Sequence, residues 1–228
     1  MITGICTKWK KSFRVGLLAL AIGIFFSMIS CRVDILPKDI DKKVGREIDA
    51  GQYEEALDDL NTMERFDMVV DMGWVHAERG YVYMKQGKYD AAVDEISDAI
   101  LLNSKDATLF NNRAFSYEKL GEFAKAESDY TRAVSLEPEN ARRYTERGAF
   151  YFNVGRLEES LLDIEQAIAS DPLEPENFLR RADTRIRLKQ IDKQSETIAD
   201  LRRVLQLQPS GSLHDAAVSR LVALGFRP

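Results

Sequence analysis

Side chains that commonly carry chemistry are scarce in this chain. It has two histidines, His76 and His214, and two cysteines, Cys6 and Cys31. Neither His has a Cys, Ser or second His at a spacing that would make a nucleophile–base pair or a metal site. Gly80 and Gly87-Lys88 faintly suggest a phosphate loop. Six residues separate the two glycines where four are needed, no Ser or Thr follows Lys88, and no strand precedes the segment. The acidic pairs Glu54-Glu55 and Glu158-Glu159 fall where helices begin, and there they favour the helix dipole rather than acid–base work. These residues predict a protein that is not an enzyme, with no cofactor and no metal.

Cys31 is placed differently. Residues 1–30 hold Lys8, Lys10, Lys11 and Arg14 and no acid, and Val15 to Ser30 is an uncharged, mostly apolar run of sixteen residues. As a helix the run would span about 24 Å, short of a bilayer core of roughly 30 Å. A basic start, an apolar run and a small residue before the break describe an export signal over residues 1–30.

Ser27-Met28-Ile29-Ser30-Cys31 resembles a bacterial lipobox, with Met28 where Leu is preferred. The resemblance implies that Cys31 becomes the lipidated first residue of the mature chain, anchored by acyl chains worth about 0.8 kcal/mol per buried CH₂. An uncleaved signal anchor and a simple cleaved signal are the alternatives, and both also export the rest. Residues 31–39 are then a lipidated Cys and tether. Arg32 rather than Asp after the Cys resembles sorting to the outer membrane, facing the periplasm.

Charge narrows the partners. The 228 residues carry 32 basic and 37 acidic side chains, a net of −5. Without residues 1–30 the basic count is 28, and the net is −9. An acidic mature chain predicts no nucleic-acid partner. Cys31 would be its only thiol, so no internal disulfide is possible. With 45% hydrophobic and 30% charged residues, the composition is that of a folded domain.

The elements follow from an internal repeat of 34. Gly87, Gly121, Gly155 and Lys189 recur at that spacing, as do Tyr83, Tyr117 and Tyr151, and Gly80, Ala114, Gly148 and Ala182. The Gly column suits helix-ending turns, and the small-residue column lets a second helix approach. Pro138 and Pro172 follow apolar helix ends. These columns resemble the tetratricopeptide repeat (TPR), a helix–turn–helix of 34 residues. The resemblance implies an all-α fold, a right-handed solenoid of about five helix pairs over residues 40–209. Its units are about 37–72, 73–106, 107–140, 141–174 and 175–209, and a capping helix follows in 210–228. The turn near Gln190–Ser195 is expected to hold an insertion, because Pro209 arrives three residues late. Ser212 is expected to cap the last helix. His76, in a column with Phe110, Tyr144 and Phe178, is expected to pack as a helix residue.

Two sets of positions stand out. Arg79, Arg113, Arg147 and Arg181 form a column, with Glu95, Asp129 and Asp163 sixteen residues after the first three and Asp200 continuing the row after three extra residues. This pattern predicts an ion ladder within the solenoid, the alternative being a binding site of four arginines. The second set comes from the resemblance, which places the partner-binding groove on first-helix faces: Trp74, Tyr81, Asn111, Asn112, Phe115, Arg142, Glu146, Phe152 and Arg180. Aromatic and Arg side chains suit binding anchors; the alternative is that the aromatics pack against neighbouring helices. Some TPR proteins clamp a peptide's C-terminal carboxylate with Lys, Asn and Arg. Asn112 matches one clamp position, but Ala77 and Tyr81 stand at two others and Glu146 stands at the Arg, which disfavours that mode.

The expectation is an exported, lipid-anchored adaptor that binds an envelope protein or peptide segment, resembling pilotin-type and cell-wall-adaptor TPR lipoproteins. A periplasmic binding protein for a glycan or lipid ligand, using the aromatic groove, is the alternative. A homodimer through terminal helices is compatible with either.

Overall fold

The computed structural model describes residues 40–65, 71–190 and 194–227, without the side chain of Arg65. The expected signal, Cys31 and tether lie outside the described residues. Among those residues there are eleven helices and no strand. Helices α1 (Ile40–Asp49) and α2 (Tyr53–Arg65) form a first pair, and α3 (Met72–Lys85) and α4 (Tyr89–Leu102) a second. They are followed by α5 (Ala107–Leu120) with α6 (Phe123–Leu136), and α7 (Ala141–Asn153) with α8 (Leu157–Ser170). The last pair is α9 (Pro175–Arg187) with α10 (Gln194–Leu207), and α11 (Ser212–Ala223) closes the array. No helix among the described residues is long and apolar enough to cross a membrane.

Local sequence explains the boundaries. Four first helices are capped by a side-chain oxygen: Asp71 accepts from Gly73 N at 2.9 Å, Asp106 from Thr108 N at 2.8 Å, Asn140 from Arg142 N at 3.1 Å and Glu174 from Glu176 N at 3.3 Å. Such a bond satisfies one of the free N–H groups at a helix start. The turns inside the pairs use Gly87, Gly121 and Gly155 at φ of 74°, 77° and 83°, where a side chain would be strained. Lys189 takes the same left-handed place in the last pair, at φ 55°. Pro138, Pro172 and Pro209 each lie two residues beyond a helix end, where a missing N–H costs nothing.

Each pair closes on its small-residue column. A Cβ on Gly80 would meet Ile96 Cγ1 at 2.5 Å, and one on Gly148 would meet Ile164 Cδ1 at 2.9 Å. Ala114 and Ala182 hold the same place and are fully buried. Contacts are densest within the three central pairs, α3–α4, α5–α6 and α7–α8, and otherwise join mainly adjacent pairs, as in a solenoid. Apolar clusters fill the seams, one around Leu60, Met63 and Val75, another around Leu201, Val204 and Leu221.

Two expectations are corrected. Ser212 does not cap α11: it is the first helical residue, Gly211 stands at the cap, and no side-chain bond is made there. His76 is not simply packed, because its Nδ1 lies 2.8 Å from Glu95 Oε2 and 3.0 Å from Arg79 Nη2. A polar ring next to the Arg–Glu pair gains more from that pair than from apolar neighbours. The expected insertion near Gln190–Ser195 falls in part on residues 191–193, outside the described residues. The described chain resumes in helix at Gln194, three residues later than the 34-residue register set by Tyr89, Phe123 and Leu157.

Candidate functional site

The first helices α3, α5, α7 and α9 stand side by side and line a cleft of about 1030 Å³. Its floor and walls carry Tyr81, Asn111, Asn112, Phe115, Arg142, Glu146 and Arg180, seven of the nine groove positions expected from the sequence. Phe115 meets Tyr89 edge-on at 6.2 Å, and Lys119 lies 4.9 Å from its ring centre. Lys85 covers Tyr81 at 5.0 Å. Rings held this way offer flat apolar faces at low entropic cost.

Trp74 and Phe152 do not belong to this cleft. Trp74 packs against the apolar cluster of the first two pairs, with Met72 and Tyr83. The preceding pair covers its face, as no repeat does in an isolated helical wheel. Phe152 lines a separate small pocket of about 50 Å³ beside Thr184 and Asp183, and Arg187 stacks on its ring at 4.8 Å. Packing against neighbours, the alternative weighed for the aromatics, therefore describes these two residues.

The polar groups of the cleft are largely engaged with one another. Arg142 donates from Nε to Glu146 Oε1 at 2.8 Å, and Arg143 donates to the other oxygen at 3.1 Å. Arg180 donates through Nε and Nη2 to Glu176 Oε1 at 3.0 and 2.6 Å. The Thr145 hydroxyl donates to Asn177 Oδ1 at 2.7 Å. The Tyr130 hydroxyl donates to Glu118 at 3.1 Å, and burial pushes its ionisation well above the ordinary range. Asn111 is an exception: it is only 8% exposed and its Oδ1 has no hydrogen-bond partner. Among the described residues no group of three or more His, Cys, Asp or Glu is arranged to hold a metal ion. The arrangement suits holding an extended chain, through aromatic faces for side chains and amides for backbone groups.

The arginine column lies elsewhere, between the two helices of each pair. Arg113 meets Asp129 through Nε at 2.7 Å and Nη2 at 3.0 Å. Arg147 meets Asp163 at 2.8 Å through the same two nitrogens. Arg181 meets Asp200 at 2.9 and 2.6 Å, across nineteen residues rather than sixteen. Arg79 reaches Glu95 at 3.0 Å and also bonds Glu64 of the preceding pair. Glu64 is held below the usual carboxylate range by that guanidinium. The four arginines are thus occupied within the solenoid and none lines the cleft.

Asn177 and the carboxylates Glu139, Asp171 and Glu174 also line the cleft, and sequence reasoning missed them. The signal for the three carboxylates was the turn between repeats: they lie on the turns before α7 and α9, whose edges face the concave side, while Asn177 lies in the first turn of α9.

A family model described as tetratricopeptide repeat matches residues 107–140, and another described as TPR repeat matches residues 80–121. No curated protein matches the chain. Among solved structures, a MamA fragment (41-end) from Desulfovibrio magneticus RS-1 is 20% identical over 75% of this chain and 94% of its own, with a TM-score of 0.63. YrrB, described as a TPR protein with an unusual peptide-binding site, is 20% identical over 78% of this chain and 87% of its own, with a TM-score of 0.58. At such identity the likeness is one of fold. The family models cover residues 80–140, and the helix pairs of the described residues share the fold of TPR solenoids.

Proposed function

We propose that the chain is an exported, lipid-anchored adaptor that holds a segment of another cell-envelope protein in its concave cleft. The observation that carries this reading is the open cleft, about 1030 Å³, built by four successive first helices and carrying both aromatic faces and amide side chains. That mixture fits a polypeptide, whose backbone needs hydrogen bonds and whose side chains need apolar faces. TPR folds generally serve protein interaction, and YrrB is described as a TPR protein with an unusual peptide-binding site. An enclosed apolar pocket, which a lipid would need, is not what these helices build.

Anchoring rests on Ser27 to Cys31, and placement at the outer membrane on Arg32. An eight-residue tether from Arg32 to Asp39 spans about 26 Å when extended, so the cleft would work close to the membrane. Photocrosslinking in cells from position 115 tests the adaptor. One dominant envelope protein is expected in the adduct. No protein adduct from position 115, while an outward-facing control at Leu162 does crosslink, would overturn the reading. Cys31→Ala is expected to move the chain from the membrane fraction to the soluble one.

A further inference from the structure

The cleft has a sign. Six carboxylates line it, from Glu118, Glu139, Glu146, Asp171, Glu174 and Glu176. Three cations line it too, Lys85, Arg142 and Arg180, but two of these are spent locally. Arg142 is tied to Glu146 and Arg180 to Glu176, each within its own helix. Glu139, Asp171 and Glu174 have no cation partner among the described residues. Glu174 and Asp171 give one oxygen each to a backbone N–H of their own turn, Glu176 N at 3.3 Å and Leu173 N at 3.0 Å, which leaves their charge in place. All three are exposed on the two turns that join α6 to α7 and α8 to α9. Unneutralised carboxylates on one lip attract cations and repel a chain terminus.

Asn111 makes the second observation. It lines the same cleft, is 8% exposed, and leaves Oδ1 without a partner. A buried amide without a bond costs roughly 1–3 kcal/mol, recovered when a partner arrives. Its two ends exchange by a half-turn of the amide, so it can meet either an N–H or a C=O of a peptide bond.

Building on the adaptor reading, we infer that the cleft takes an internal, extended, basic segment: a Lys- or Arg-bearing strand whose backbone bonds Asn111 and whose cations face Glu139, Asp171 and Glu174. The segment is internal rather than C-terminal, because six carboxylates outnumber three cations in the cleft and both of its arginines are already paired, which leaves Lys85 alone to meet a terminal carboxylate.

Full-length protein in non-ionic detergent is used to select from random dodecapeptides displayed on phage as N-terminal fusions, which lack a free C-terminus. Enrichment of Lys and Arg among the binders is expected. The best peptide, amidated, should bind more weakly as salt rises. The combined variant Glu139→Gln, Asp171→Asn, Glu174→Gln keeps every turn acceptor and should bind that peptide about three- to a hundredfold more weakly, the worth of three exposed charge pairs. Its thermal midpoint, read alongside, should match the parent's, so that weaker binding reports charge. Binders enriched in Asp and Glu, or an affinity unmoved by salt and by the triple variant, would overturn the basic segment while leaving the cleft a peptide site. No binder that competes with a crosslink at position 115 would overturn the adaptor reading, and the basic segment with it.

Discussion

Arg113 and Asp129 grip each other through two parallel hydrogen bonds of 2.7 and 3.0 Å, and the Asp129 side chain is 9% exposed. The pair joins α5 to α6 where water is nearly excluded. Breaking it leaves a half-buried guanidinium without its counter-ion, so Asp129→Ala is expected to lower stability by about 1–3 kcal/mol. Lys125 and Glu122 also pair, but both are well exposed, and Glu122→Ala should cost under about 0.5 kcal/mol. Urea unfolding midpoints of the two variants compare them directly. Equal midpoints would remove the ladder from the forces that hold the repeats.

Gly80 decides how close α3 and α4 come. The missing Cβ would sit 2.5 Å from Ile96 Cγ1, in a buried position. Gly80→Ala is expected to destabilise by about 1–3 kcal/mol through overpacking, despite the better helix propensity of Ala. Ala114→Gly in the next pair should cost about 1 kcal/mol through propensity alone. Calorimetric melts of both variants test the contrast.

Lys189 holds φ 55° where the four preceding pairs use Gly. A left-handed residue with a side chain costs roughly 1 kcal/mol against Gly. Lys189→Gly should therefore raise the unfolding midpoint, while Gly155→Lys in the neighbouring pair should lower it by a similar amount.

Tyr130 sets an alkaline limit. Burial raises its pKa well above the ordinary value near 10, and the neighbouring Glu118 carboxylate adds to the effect. A raised folded value means that this contribution is complete below pH 10 and is lost as pH rises beyond it, because only the unfolded chain releases the proton readily. Stability measured between pH 8 and 11 should fall at the alkaline end, and Tyr130→Phe should flatten that fall. On the acid side, Arg143 holds Glu137 below the usual range, so its contribution is present above that range and disappears as pH drops through the lowered value.

The sequence was most legible where a residue's partner lies in its own repeat. Arg113 and Asp129 are sixteen residues apart in every full unit, so a spacing of 34 carries both together. The turn glycines, the small column and the helix ends at Pro138 and Pro172 follow for the same reason. What the sequence hid depends on neighbours beyond the repeat. Trp74 and Phe115 occupy the same face of their helices in the alignment of units, but only Trp74 meets the cluster of the first pair. Phe152 was hidden in the same way by Arg187, a residue 35 positions on. Glu174 caps α9 and Asp171 bonds Leu173 N within its turn; that they also border the cleft depends on how successive pairs stack, which no single unit encodes.

Arg181 and Asp200 repeat the bidentate geometry of the earlier pairs with three more residues between them. The join from α9 to α10 thus lengthens without shifting the contact that registers the two helices. For protein engineering this marks a splice point. A fluorescent reporter or an affinity tag placed in that join would lie apart from the cleft-lining residues of α3, α5, α7 and α9, and would give a probe of the protein in living cells.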